Sequence, residues 1–192
     1  MKDMQPDKHK LKLAHLYFIP KAHKPNISVR PIIASINAPA RCISSFLDKL
    51  LSPIFDQVAR KTTLINGIDL VRALEKYRDN CRLLPTTQFI TSDVTDLYTM
   101  IPRDGALAAL GHFCIRHSAD RKIGNLLVDT ILQLARTVLD TNSFAYNYKY
   151  YKQTKGGAMG LPFTMVLANI YMLEWKQPLI QHQAEQNELY GR

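Results

Sequence analysis

Phe89-Ile90-Thr91-Ser92-Asp93-Val94-Thr95-Asp96-Leu97-Tyr98-Thr99-Met100-Ile101-Pro102 is the stretch whose reading decides the fold. Phe89–Val94 is short and rich in β-formers, which predicts a strand. It would carry Asp93 at its end, with Asp96 three residues on, then Tyr98, and Pro102 to close the segment. A carboxylate where a strand meets a turn suits a divalent cation. The strand fixes its position, and the turn leaves backbone carbonyls free as further oxygen ligands. Taken alone, an Asp after a strand is most often a cap or turn residue. The segment gains meaning only from its neighbours.

Downstream, Asp104 is placed to cap a helix through Ala106, Leu107, Leu110, Phe113 and Cys114. A second helix is expected from the apolar spacing of Ile123, Leu126, Leu127, Ile131, Leu134 and Val138. Over Ser143–Gln153 the period changes to two, with Phe144, Tyr146, Tyr148 and Tyr150 alternating with other residues. That predicts a strand or hairpin turning near Asn147. Its aromatics and lysines suit either base stacking or cross-strand packing, the latter being the more frequent use. Gln153-Thr154-Lys155-Gly156-Gly157-Ala158-Met159-Gly160-Leu161-Pro162 follows. Its small residues allow a backbone to approach a flat or charged surface closely. Pro162 suits the first turn of a helix running through Val166, Leu167, Ile170 and Tyr171 towards Trp175. The stretch matches neither a P-loop nor a G-x-G-x-x-G fingerprint.

Upstream, Leu16–Ile19 and Val29–Ala34 read as two strands around the proline-bounded basic loop Pro20-Lys21-Ala22-His23-Lys24-Pro25-Asn26. Lys21, Lys24 and Arg30 on such a flap suit a triphosphate, the arginine through its bidentate fork. A solvated basic loop would look the same. Ile43–Val58 has the clearest helical periodicity, with a kink or break expected at Pro53. A second helix is predicted over Ile68–Tyr77, capped by Asn66 or Asp69, and Met1–Leu13 reads as a polar lead-in.

The chain has 192 residues, of which 46% are hydrophobic and 21% charged, enough apolar material for a substantial core. A net charge of +9 favours an anionic partner, nucleic acid being the commonest. Cys42, Cys81 and Cys114 are odd in number and lack a C-x-x-C spacing. They are read as free thiols of a reducing compartment. The lysine-rich start has no apolar core of a signal peptide, and the most apolar run, Leu161–Trp175, is interrupted by Thr164 and Asn169. The expectation is a protein neither secreted nor transmembrane.

Asp93-Val94-Thr95-Asp96-Leu97-Tyr98, then Gln153-x-x-Gly156-x-Ala158-Met159-Gly160-x-Pro162, then Leu167-Ala168-Asn169-Ile170-Tyr171-Met172, resemble core motifs of reverse transcriptases. Pro20-Lys21-Ala22-His23-Lys24 and Arg30-Pro31-Ile32-Ile33 resemble their fingers motifs. The wording is similar to the Penelope-like retroelement branch, related to telomerase reverse transcriptase, from about Leu16 onwards. The resemblance implies a two-metal nucleotidyl transfer with Mg²⁺. Asp93 and the backbone carbonyl of Val94 would be metal ligands. Arg30, Lys21 and Lys24 would grip the triphosphate of a deoxynucleotide, and Tyr98 would lie under its sugar. Gln153 and Gly156, Gly157, Ala158, Met159, Gly160 and Pro162 would line the template and nascent base pair. The implied partners are an RNA template, a DNA primer and dNTPs, without a membrane. Intracellular, nuclear localisation is what the retroelement resemblance implies.

Two departures stand out. Leu161 replaces the usual small polar residue, and the sequence contains no Asp-Asp pair, although the family places one in a downstream hairpin. The expected fold is α+β: a partial right-hand polymerase, with fingers and an incomplete antiparallel palm sheet covered by helices. The expected divisions are a basic lead-in over 1–15, a fingers-like region over 16–88 and a palm region over 89–192, stopping short of that hairpin and lacking a thumb. On this reading the chain is a fragment inactive alone. The alternatives are a non-catalytic nucleic-acid-binding descendant and a plain α+β scaffold.

Overall fold

Four helices supply most of the buried apolar surface, and their packing sets the frame of the computed structural model, which describes residues 4–21 and 28–192. Lys24, in the predicted basic loop, lies outside the described residues. Helix α1 (Arg41–Ala59) places Leu47, Leu51 and Phe55 on one buried stripe. It continues through Pro53 without a break, because the proline stands on the solvent side. The lost hydrogen bond costs about 3 kcal/mol. Burying each large apolar side chain of the stripe returns roughly 1.5–3 kcal/mol.

Helix α2 (Gly67–Asp79) is capped by Asn66, whose side-chain oxygen accepts from the Asp69 N–H, and it buries none of its residues. A single turn, α3 (Leu97–Met100), leads into α4 (Arg103–Arg116). Pro102 is the N-cap of α4, and Asp104 lies in its first turn without making a side-chain cap. Helix α5 (Val128–Asp140) and the 24-residue α6 (Pro162–Glu185) complete the core. Leu110, Phe113, Ile131, Phe163 and Ile170 are all fully buried there.

The sheet has the order β2 (Ser28–Ala34), β1 (Ala14–Lys21), β5 (Ser143–Tyr146), β6 (Lys149–Lys152). The expected β1–β2 hairpin is present and antiparallel, with Leu16 opposite Ile33. The β5–β6 hairpin is also present and turns at Asn147 and Tyr148, both left-handed with φ of 48° and 60°. Two such residues are what a tight hairpin turn requires. Strands β1 and β5 pair in parallel, Ala14 with Phe144 and His15 with Ala145. The sheet is therefore mixed, which corrects the expected antiparallel arrangement and joins residues on both sides of position 89. A separate two-stranded ladder is formed by β3 (Lys122–Ile123) and β4 (Leu126–Leu127), so the predicted helix from Ile123 begins only at Val128.

The largest correction concerns Phe89–Val94, which is not a strand. Among the described residues no strand runs beside it, so there is no ladder to hold it extended. Phe89 and Ile90 are 69% and 89% exposed. β-propensity measures how well side chains fit a pleated, half-buried surface, and none is offered here. No helix among the described residues is long and apolar enough to cross a membrane.

Candidate functional site

The Asp93 segment becomes ordered at Asp96. That residue takes a left-handed conformation with φ of 51°. Its carbonyl accepts from the Thr99 and Met100 N–H groups and from the Thr99 hydroxyl, each at 3.1 Å. Asp has a short polar side chain and tolerates this region better than most residues. The turn buries Ile101 and half-buries Tyr98 against the core.

The glycine-rich loop docks on this turn. Gly157 N–H donates to the Tyr98 carbonyl and Gly156 N–H to the Ile101 carbonyl, both at 2.9 Å. Gly156 has φ of +60°, and a Cβ there would stand 2.6 Å from the Thr99 carbonyl carbon and 2.7 Å from its Cα. Only glycine meets both conditions. At the other end of the loop, a Cβ on Gly160 would run into the Ile33 carbonyl of β2. The Gly160 carbonyl accepts from the Arg41 guanidinium at 2.9 Å. Pro162 opens α6 as predicted, and the Phe163 N–H is satisfied by the buried Ser44 hydroxyl at 3.0 Å.

Arg103 fastens the loop from below. Its guanidinium donates to the carbonyls of Gln153 and Gly156 and lies 3.7 Å from Asp140. Burial lowers its pKa from the ordinary arginine value, and the Asp140 carboxylate opposes that shift. Arg103 and Arg41 were not singled out by sequence reasoning. An arginine beside a helix start has many uses, and its carbonyl partners lie 50 and 119 residues away.

Three motifs are thus joined through the backbone: the end of β2, the Tyr98–Ile101 turn and the Gly156–Gly160 loop. The side chains are disposed differently. Gln153 accepts from the Asn142 amide at 2.8 Å and donates to the Lys155 carbonyl at 2.9 Å, closing the base of the β5–β6 hairpin. Gly156, Gly157 and Ala158 are buried, while Met159 is half-buried. Lys21 and Arg30 lie diagonally across the β1–β2 pair, on one face of the sheet. Asp93 and Val94 are exposed on the irregular segment. Among the described residues, no ion pair or hydrogen bond ties Asp93 to Arg30 or Lys21. Beside Val94, an apolar groove of about 210 Å³ runs between the α3 turn and α6, walled by Leu97, Met100, Tyr171 and Trp175. Its lining suits a hydrophobic side chain and not a phosphate.

Among the described residues no three His, Cys, Asp or Glu side chains come together. Asp93 with the Val94 carbonyl does not fit a two-ion magnesium centre, because one carboxylate does not hold two divalent ions against their hydration. No protein-family model and no curated protein matches the chain.

Proposed function

We propose that this chain is the fingers and part of the palm of an RNA-directed DNA polymerase of the Penelope-like kind, contributing binding and positioning surfaces for template, primer and dNTP. One observation supports the reading above all. Motifs separated by more than fifty residues meet as one backbone-knitted unit, with Gly156 and Gly157 on the Tyr98–Ile101 turn and Gly160 on β2. A coincidental set of short matches has no reason to converge in space.

In this reading Arg30 and Lys21 grip the triphosphate by charge-assisted hydrogen bonds. Tyr98 borders the sugar, and the glycine loop borders the nascent base pair. Mg²⁺, when bound, would supply Lewis-acid activation and neutralise charge during phosphoryl transfer. Asp93 alone does not hold the required pair of ions, so no chemical step is assigned to this chain by itself. A nuclear setting belongs to the same reading.

The test is primer extension on an RNA template with deoxynucleotides and Mg²⁺. The chain is compared with a fusion that adds a Tyr-x-Asp-Asp hairpin and thumb, and with the Asp93→Asn form of that fusion. Activity confined to the unmutated fusion is expected. Equal activity of the Asp93→Asn fusion would refute the assignment. The second reading, a nucleic-acid-binding descendant without catalysis, is favoured by the isolation of the Asp93 carboxylate. It predicts no extension from any form and salt-sensitive binding from all.

A further inference from the structure

Two long stretches of this sequence, 8–47 and 141–173, contain no Asp or Glu, yet they carry Lys8, Lys10, Lys12, Lys21, Lys24, Arg30, Arg41, Lys149, Lys152 and Lys155. They are remote in the chain, and the parallel pairing of β1 with β5 lays them side by side. The whole four-stranded sheet is consequently free of carboxylates.

Register sorts its side chains. Tyr150 lies opposite Ala145, Ala145 opposite His15, and His15 opposite Ala34, so these four share one rung and one face. Two residues along β1 the same face carries Tyr17, then Ile19 opposite Arg30, then Lys21; in the other direction along β6 it carries Lys152. Tyr150 is 81% exposed and Tyr17 is 42% exposed. The Tyr17 ring lies 6.1 Å from the His15 ring, between centroids. Ala145 keeps the floor low between the β1 rings and Tyr150. Phe144 and Tyr151, by contrast, stack on each other on the opposite face at 5.7 Å.

We propose that this face of the sheet is a platform for an unpaired polynucleotide strand, with Tyr17 and Tyr150 stacking on bases and Lys152 neutralising a phosphate, while Lys21 and Arg30 at the far end keep their place at the triphosphate. Exposed rings on a sheet whose own strands carry basic and no acidic side chains match what a single strand offers, flat π-faces beside a phosphate chain. A duplex hides its base faces and cannot use the tyrosines. Stacking reads no particular base, and no residue here distinguishes ribose from deoxyribose. The proposal deepens the polymerase reading by placing the unpaired strand, and its readout is binding, so it stands or falls independently of primer extension.

The experiment is fluorescence anisotropy with a labelled oligouridylate of about 16 nucleotides, its deoxythymidylate counterpart and a duplex of equal length. Both single strands are expected to bind, with the duplex much weaker. Tyr17→Ala and Tyr150→Ala should each weaken strand binding by about 5- to 150-fold, and the corresponding Phe variants should restore it. Lys152→Gln should reduce the slope of log K against log salt by about 0.7. Tyr146→Ala, on the opposite face against Phe18, should bind like the parent. Tyr150 makes so little contact that its replacement leaves the fold intact. Ultraviolet cross-linking of the unsubstituted chain, followed by peptide mapping, gives a second measurement and should mark β1 and β6. Unchanged affinity in both alanine variants, duplex binding as tight as the strand, or cross-links confined to the helices would overturn the platform.

Discussion

Replacing Gly156 by alanine should break the junction between the two central motifs. The new Cβ meets two costs. The residue stays left-handed at φ of +60°, which disfavours an L side chain by about 1–2 kcal/mol. The Cβ also lies 2.6 and 2.7 Å from Thr99 backbone atoms, which cannot swing aside as a side-chain tip can. Overpacking of this kind costs about 1–3 kcal/mol. Together they remove roughly 2–5 kcal/mol from a total stability of about 5–15 kcal/mol. For a chain of this size that corresponds to a Tm lower by about 4–20 °C. The assay is urea and thermal unfolding, with two companion variants. Gly67→Ala adds a Cβ in open space on a helix that buries no residue, so its global transition should match the parent. Gly156→Asn relieves part of the backbone strain and none of the clash, so it should remain well below the parent. If Gly156→Ala melts with Gly67→Ala, or if Gly156→Asn regains full stability, the close approach is not what holds the loop.

Arg103→Leu leaves the Gln153 and Gly156 carbonyls without their guanidinium donor and should lower stability in urea by about 2–4 kcal/mol. Arg103→Lys should recover only part of this, because an ammonium lacks the planar fork. The His117 imidazole is pushed below its ordinary 6.5 by burial and by Arg116, with Glu174 opposing. The fold therefore favours its neutral form. This contribution is fully present above pH 6.5 and is lost as pH falls through the lower folded pKa. An NMR titration should give a His117 midpoint below 6.5 in the folded chain that returns to 6.5 in urea. The buried Cys114 thiol is pushed up to about 12, whereas Cys81 is exposed. Alkylation at neutral pH followed by peptide mapping should modify Cys81 promptly and Cys114 only on unfolding.

Periodic and turn-coded elements were legible in the sequence. The 3.6-residue apolar stripe of α1, the proline start of α6, the Asn66 cap and the β5–β6 alternation all appear as expected, because each depends on contacts within a few residues. The strand predicted at Phe89–Val94 failed for the opposite reason. Its composition suits a sheet, and a strand requires a partner that composition cannot supply. Similarly, Ile123 and Leu126 fit a helical stripe, but they fold into the short β3–β4 ladder ahead of α5.

By itself the sequence determined the long helices apart from the start of α5, the β1–β2 and β5–β6 hairpins, and a charge distribution in which two stretches of the chain lack acidic residues. These are properties of spacing and composition. Tertiary structure alone decided that β1 pairs in parallel with β5, that the glycine loop closes on the Tyr98–Ile101 turn and that Arg103 and Arg41 clamp it. It also decided which tyrosines face outward over the basic sheet. Each of these requires residues far apart in the chain to meet. Their meeting is governed by how the helical core closes, a sum over many contacts that no single segment encodes.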